Sequence, residues 1–543
     1  MTTLQRLRHS FAATLLIASA HAAASDVLPD SAELEAAGLR IGEVILRVDP
    51  IFDPADAGES HAVFRLADRL HVDTRASTVR AHLLFRSGDA FSQRVLDETA
   101  RNLRQQRYIR EPTVRPVAFH DGVVDVEVRV RDVWTTNPGA SVGRAGGANS
   151  SGFEFEELNL FGFGKQVSIG FKQDADRASY TAKWTDPSVL GTRWRDTIAV
   201  TDSDDGHGYE LALERPFYSL DSRWSAGVSA TQDAGIDRSY ALGREVSRYA
   251  RETRTFDAHA GWSSGLREDR VHRWIAGFRQ ERAGFAPLPA SEPATVVLPR
   301  GRDLAYPYVR FESLEDDFET TRNHDQIART EDLCFGRRYA LELGWAAPAF
   351  GADRSAVLLS AQASRGFRLE RERSLFVSGG LSGRLDEGAL SDALLFAETR
   401  YYRPTGTRSM FFASLAGAIG SRLDADHELQ LDGELGLRGY PLHYQIGSSR
   451  ALLTLEERVF TDWTLWRLAQ IGGAVFFDTG RTWGPSIAGG ENLGVLSDVG
   501  FGLRLGNSRS ALANVLHLDV AFPLGGDPSI HNVQFLIQTR RSF

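Results

Sequence analysis

Leu437-Arg438-Gly439-Tyr440 and, further on, Phe476-Phe477-Asp478-Thr479-Gly480 decide how the rest of the chain is read. Both lie among segments whose apolar and polar residues alternate with the period of two that a strand requires. An arginine on a glycine-flexed loop and an aspartate on a neighbouring strand can meet inside a barrel, where charge-assisted hydrogen bonds are strong. Gly439 lets the backbone turn tightly, and Tyr440 would then pack against the wall. On the strand after the loop, Glu456 and Arg458 fall on the same face as Leu452 and Thr454 and are further candidates to point inward. The plainer reading is that any barrel needs internal charge pairs.

The bulk of the chain fits that picture. Its 543 residues are enough for a large barrel and an accessory module. Apolar residues make up 42%, yet beyond the N-terminus no apolar run is long enough for a membrane-crossing helix. A barrel strand needs only about 9–11 alternating residues. The 51 glycines suit tight turns and barrel bends. A net charge of -9 gives no reason to expect nucleic acid as a partner. Cys334 is the one cysteine, which excludes an intramolecular disulfide and a cysteine-based zinc cage, and the scarcity fits an exported protein.

Residues 1–22 read as a secretory signal peptide, with Arg6 and Arg8 leading, an apolar core at Phe11 to Ala18, and Ala20-His21-Ala22 as the cleavage site. The mature chain is expected to begin near Ala23, with 23–40 as an N-terminal segment. From Ile41 to Trp134 the pattern is mixed α and β. Val44 to Val48 reads as a strand, Thr74–Phe85 as a helix, and Gly88-Asp89 as a break. Ser92 is a candidate N-cap for a helix running to about Arg107, with Val95, Leu96, Ala100 and Leu103 along one face. Val114 to His120 is a strand, Asp121-Gly122 a hairpin signal, and in the next strand Val124, Val126, Val128 and Val130 oppose Asp125, Glu127, Arg129 and Arg131. The order is β-α-α-β-β.

From Thr135 to Phe543 short alternating runs are separated by turn residues, as in an antiparallel transmembrane β-barrel. Leu211 and Leu213 oppose Glu210, Ala212 and Glu214, a lipid-out and polar-in pattern. Short turns at Asp186-Pro187 and Gly265–Asp269 contrast with longer loops expected at Gln232–Arg251 and Ala283–Arg302; the second holds Pro287, Pro289, Pro293 and Pro299. Five strands follow the Arg438 loop, near Ala451–Phe460, Leu468–Asp478, Asp498–Leu505, Ala513–Ala521 and Asn532–Phe543. Up to fifteen segments can be drawn before it. On the final strand Val533, Phe535 and Ile537 share the face of Phe543. Thr539 and Arg541 interrupt that face, which snorkelling near an interface would tolerate.

Catalytic spellings do not hold together. Gly139-Ala140-Ser141-Val142-Gly143 matches G-x-S-x-G, but that motif needs a strand-to-helix turn, and no helix follows here. Asp202-Ser203-Asp204-Asp205-Gly206 hints at a calcium loop, yet its twelfth position is Leu213 rather than a glutamate. His61, His71 and His82 lack ligand spacing. The sequence assigns no catalytic residue, metal or cofactor.

The Arg438 and Asp478 stretches, in this order and near the C-terminus, resemble the signature of the BamA/TamA-type outer-membrane assembly and translocation barrels (the bacterial surface antigen family), which carry POTRA domains. There an [V/I/L]-R-G-[F/Y] loop folds back into the lumen, and its arginine meets the acid of an F-x-D-x-G strand. The resemblance implies a lumen latch of Arg438, Gly439, Tyr440, Asp478, Gly480, Glu456 and Arg458, with the loop around 433–450 folded inward. It implies Phe543, Ile537 and Phe535 as the signal for barrel insertion. Leu83 to Asp89 followed by Arg107-Tyr108-Ile109 resembles POTRA phrasing, so 41–134 is expected to be a single α+β POTRA-like domain. Glu156 to Gly164, and Arg215-Pro216-Phe217-Tyr218 leading to Arg223-Trp224, resemble turns of the superfamily. On the resemblance the barrel is expected to have about sixteen strands; either some of the segments before the loop are loop hairpins, or the barrel is larger.

The implied function is non-catalytic: insertion of other polypeptides into the outer membrane, or their translocation across it. Clients would add to an exposed sheet edge by β-augmentation and be templated at a weak seam near Thr136–Val142 and Asn532–Phe543. The partners would be the outer-membrane bilayer, unfolded outer-membrane or exported polypeptides, and a periplasmic or inner-membrane accessory protein. Two rivals remain. A dedicated two-partner translocator usually has two POTRA domains and a plug helix, for which residues 23–40 leave no room. A passive pore would keep the small domain only as a plug, a steadying element or a vestige.

Overall fold

The structure, a computed structural model, describes residues 28–52, 69, 71–288, 298–465, 469–486, 492–507, 514–528 and 530–540. The expected signal peptide, its cleavage site near Ala23, His61, Pro289, Pro293, Leu468, Ala513, Arg541 and Phe543 lie outside the described residues.

The N-terminal unit is a three-stranded sheet backed by short helices. Helix α1 (Ser31–Ala36) is capped by Asp30, which accepts the backbone N–H of Glu33. Strand β1 (Arg40–Asp49) follows, then α2 (Ala76–His82), α3 (Gln93–Arg104), β2 (Ile109–His120) and β3 (Val123–Asp132). The sheet order is β1-β3-β2, with β1 parallel to the central β3. Alternation in β3 sends Val124, Val126, Val128 and Val130 inward, each at most 1% exposed, against Leu96, Leu103 and Tyr108. Asp121 and Gly122 both take positive φ, 47° and 79°, which suits a tight two-residue hairpin. Both helices differ somewhat from the sequence reading. The first covers Ala76–His82 rather than Thr74–Phe85. The second stops at Arg104, and Ser92 stands at its N-cap without a side-chain capping bond. His82 is a packing residue: its Nε2 sits 2.8 Å from the Tyr108 hydroxyl, and burial lowers its pKa to about 4.

Among the described residues twenty antiparallel strands close into a barrel, from Thr136–Ala145 to Gln534–Arg540. This corrects the expected sixteen. Fifteen strands precede the Arg438 loop and five follow it, so alternation was the better guide and the strand number taken from the resemblance was too small. The expected loop Gln232–Arg251 is also corrected. Strands Trp224–Ala241 and Arg244–Arg267 run on in register to a turn at Leu242-Gly243. Their outer halves are polar, and they are held by pairs such as Arg251–Asp237 at 2.9 Å rather than by apolar alternation. A polar ladder of this kind looks like a loop by composition.

The outer wall is apolar. Leu211 is 53% exposed on the face opposite Glu210, which pairs with Lys183 across strands. Trp224, Trp262 and Trp274 stand on neighbouring strands in direct register near the end that carries the N-terminal unit, all outward. Trp345 projects outward near the opposite end. Such aromatic rows mark the two borders of an apolar band.

The N-terminal unit docks on the connections at one end of the barrel, called here the near end. The Thr78 hydroxyl donates to Gly162 O at 2.7 Å, and Asn102 Nδ2 donates to Tyr218 O at 3.0 Å. Leu220 N–H donates to Glu98 Oε1 at 2.7 Å. The barrel's closure is uneven. Among the described residues the last strand is joined to the first by one registered pair, Ile537 with Arg144, whereas it pairs continuously with its other neighbour from Arg540 to Gln534.

The helix-to-sheet core gives a direct expectation. Leu96→Ala removes a fully buried side chain and costs about 2–5 kcal/mol. Limited proteolysis of the full chain is expected to cut the N-terminal unit faster, while the barrel keeps its heat-modifiable migration on gels. Unchanged proteolysis would show that Leu96 does not anchor that core.

Candidate functional site

The Arg438 loop spans 422–448 and enters the lumen from the far end, between strands Ser409–Ser421 and Ser449–Leu465. A small hairpin, Leu429–Leu431 with Gln445–Gly447, forms its stem. Asp432 shapes the tip. Its carboxylate accepts the backbone N–H groups of Glu434, Leu435 and His443 at 2.8–2.9 Å. Leu431, Leu437, Tyr440 and Tyr444 are at most 2% exposed and pack with Leu496 of the wall. The tip is therefore a compact body that buries its own apolar side chains.

Arg438 stands at the centre of a charge network. Its Nε and Nη2 donate to the two oxygens of Asp478 at 2.7 and 3.0 Å, a bidentate fork. Its Nη1 donates to Glu456 Oε1 at 2.8 Å. The guanidinium lies 3.4 Å from the centre of the Phe476 ring. Glu456 accepts Arg458 Nε on its other oxygen at 2.9 Å, and Arg458 lies over Phe412 at 3.8 Å. Thr454 donates its hydroxyl to Asp478 at 2.8 Å. None of these charges is more than 5% exposed. Two carboxylates face the Arg438 fork, so removing the cation leaves buried, uncompensated charge.

The neighbouring residues fix the pose. Gly439 N–H donates to Asp498 Oδ2 at 3.0 Å, and a Cβ built at 439 would stand 2.7 Å from Asp498 Cβ. The glycine is therefore demanded by close approach, not only by flexibility. The Tyr440 hydroxyl donates within reach of Ser497 O at 2.8 Å and Gly525 O at 3.0 Å. Gly480 holds no charge; a Cβ there would meet Ala451 O at 2.7 Å.

Of the seven residues expected at the latch, Arg438, Asp478, Glu456 and Arg458 form one charge network, Gly439 and Tyr440 follow Arg438 on the loop, and Gly480 lies two residues beyond Asp478 on its strand. Phe535 and Ile537 do not join them; they lie on the last strand, with Phe535 58% exposed on the outer face. Sequence reasoning missed Asp498, Asp432, Phe412 and the buried Arg504–Asp519 pair. One signal for Asp498 was present: Asp498-Val499-Gly500 repeats the D-x-G spelling of Asp478-Thr479-Gly480 one strand earlier, and the two aspartates are register partners. The serine of G-x-S-x-G stands on the first barrel strand, not on a strand-to-helix turn. Two groups have the atoms for a metal, His71–Asp73–Asp132 and Asp392–Asp424–His427. Protein donors already serve both: Thr74 N–H donates to Asp132, and Arg384 to Asp424.

No protein-family model matches the chain. A putative outer membrane protein assembly factor of Treponema pallidum (strain Nichols) is 26% identical over 204 residues, 35% of this chain and 23% of that relative. The matched stretch spans less than a quarter of the relative's length. Among solved structures, CdiB from Escherichia coli is similar at 12% identity and a TM-score of 0.47, covering 92% of this chain and 76% of that one. BamA from Haemophilus ducreyi lacking POTRA domains 1-3 is similar at 14% identity and a TM-score of 0.36, covering 92% and 85%.

The latch sets a stability expectation for the barrel. Arg438→Ala leaves Asp478 and Glu456 buried without their cation and costs about 3–5 kcal/mol, read as a lower urea midpoint in detergent. Gly439→Ala is expected to act in the same direction by displacing Asp498. An unchanged midpoint for both would show that the loop does not brace the wall.

Proposed function

We propose that this protein inserts other polypeptides into the outer membrane or passes them across it, without covalent catalysis, using the seam between its first and last strands. The observation that carries the reading is the uneven closure. A seam with one registered pair among the described residues offers backbone donors and acceptors on both strands to an incoming strand. Beside it lies a polar cavity of about 490 Å³, bordered by Arg144, Asn149, Lys172, Glu434 and Gln538. The latch supports the same reading. A barrel that opens at one seam needs the rest of its wall braced, and Arg438 ties the far-end loop to the strands leading to that seam.

The N-terminal unit acts in this reading as a single POTRA-like domain facing the periplasm. Its β-α-α-β-β order and its seat on the near-end turns support that role. The sheet has two edges. On β2, Pro112 and Pro116 lack N–H donors, and the ladder with β3 is irregular at both, which blunts that edge. On β1 the register with β3 is regular from Val44 to Asp49. An extended client segment is therefore expected on β1. The curated relative is named for outer-membrane protein assembly, which favours insertion over dedicated export.

Two measurements test this. Quantitative proteomes of the outer membrane and of secreted proteins, with and without the protein, are expected to lose several barrel proteins. Loss of one exported protein would select dedicated translocation, and no loss would leave the passive pore. The seam is tested by Arg144→Cys with Ile537→Cys in a Cys334→Ser background. The oxidised chain is expected to stop accelerating the folding of an outer-membrane barrel into vesicles, and reductant to restore it. Full activity of the oxidised chain would remove the seam from the mechanism.

A further inference from the structure

Most connections at the near end are short, but the one between strands Arg302–Glu315 and Arg338–Ala346 carries a hairpin of its own, Phe318–Arg322 paired with Thr330–Cys334. Its tip turns up into the lumen. Ile327 is 1% exposed and packs against Phe460, Ala474 and Val515 of three wall strands. Gly506 makes room for it, since a Cβ there would stand 2.7 Å from Ile327 Cβ. Glu331 holds the tip in shape by accepting the backbone N–H groups of His324, Asp325 and Gln326 at 2.9–3.1 Å. Asp325 accepts the Tyr402 hydroxyl at 2.9 Å, and the His324 carbonyl accepts Arg458 Nη1 at 3.0 Å.

The other end of the hairpin is bonded to helix α3. Arg101 pairs with Asp316 at 3.1 Å and lies over the Phe318 ring. Arg104 makes a bidentate bond to Asp332, at 2.7 and 2.5 Å. The hairpin therefore bridges the N-terminal unit to Arg458, which bonds Glu456, which bonds Arg438. Two inserts enter the lumen from opposite ends and meet on one charge pair.

The two attachments differ in kind. The contacts with α3 are ion pairs 10–19% exposed at the barrel mouth, where water and other charges compete for each partner. The tip buries Ile327 and sets the His324 ring against Tyr402 and Phe376, Phe335 lies against Phe376 at the base, and the remaining contacts are polar bonds. An element held this way is exchangeable, unlike a wall strand with a full ladder on each side.

We propose that the 316–337 hairpin is a removable plug of the barrel mouth, kept in place by Arg101 and Arg104 of α3 and released when that helix shifts. Displacement of α3 by a polypeptide bound to the N-terminal unit withdraws the hairpin, frees Arg458 and opens the lumen from the near side. This holds whichever polypeptides the protein handles, because its readout is the state of the lumen and not client insertion.

The test is single-channel recording of the full chain in planar bilayers, with barrel folding checked by heat-modifiable migration. Replacing 319–333 by a short glycine-serine turn is expected to raise the steady conductance severalfold. Arg104→Asp is expected to give intermittent openings to that same level, and Arg104→Asp with Asp332→Arg to return the channel to the parent's closed state. A folded, shortened chain that conducts like the parent would overturn the proposal. So would a silent Arg104→Asp, or a double variant that stays as open as the single one. If the shortened chain does not fold, the charge reversal and its rescue decide alone.

Discussion

A buried guanidinium is the constraint on which the rest depends. Arg438 cannot give up its charge, and its rigid fork of N–H donors must find acceptors once it leaves water. The lumen supplies the replacement in full: a bidentate carboxylate, a second carboxylate and an aromatic face. Those groups come from strands Ser449–Leu465 and Ala469–Trp483, so the loop can be charged and buried only if both strands are in register. The interaction thus reads out the assembly of the wall. Asp498 extends it to a third strand by holding the Gly439 backbone, and Tyr440 reaches the connection beyond the next strand through Gly525.

The same economy of charge explains the shape of the two ends. Outside the apolar band the barrel strands run on as polar ladders stitched by arginine–carboxylate pairs, as at Arg251 with Asp237. At the near end the ladders stop, and the N-terminal unit sits on the turns chiefly through hydrogen bonds and ion pairs, with Val133 against Leu158 as a small apolar contact. Contacts of this kind let two bodies keep a defined orientation and still move relative to one another.

How much was legible follows from the same physics. The latch could be read because its residues are few, charged and spelled in short motifs. β3 could be read because strict alternation of valine with charge leaves one choice of face. The strand number was misjudged because a resemblance was set above the alternation, which had marked as many segments before the loop as the wall contains. Gln232–Arg251 reads as a loop in the sequence because polar cross-strand pairs carry no hydrophobic period. The 316–337 hairpin was invisible for a related reason: its strands are five residues each, and its burial comes from a lumen that no local window contains. Asp498 lay between these cases, hinted at by a repeated D-x-G yet assignable only once strands were placed side by side.

The central claim is that Arg438 and Asp478 act as one unit joining loop to wall. A double-mutant cycle of Arg438→Ala and Asp478→Ala, read as urea unfolding of the barrel in detergent, measures that directly. Strong non-additivity is expected, a coupling of about 1–3 kcal/mol, with the double variant less destabilised than the sum of the two single ones. Additive losses, or single variants as stable as the parent, would show that the two residues only lie near each other, and the latch would have to be abandoned.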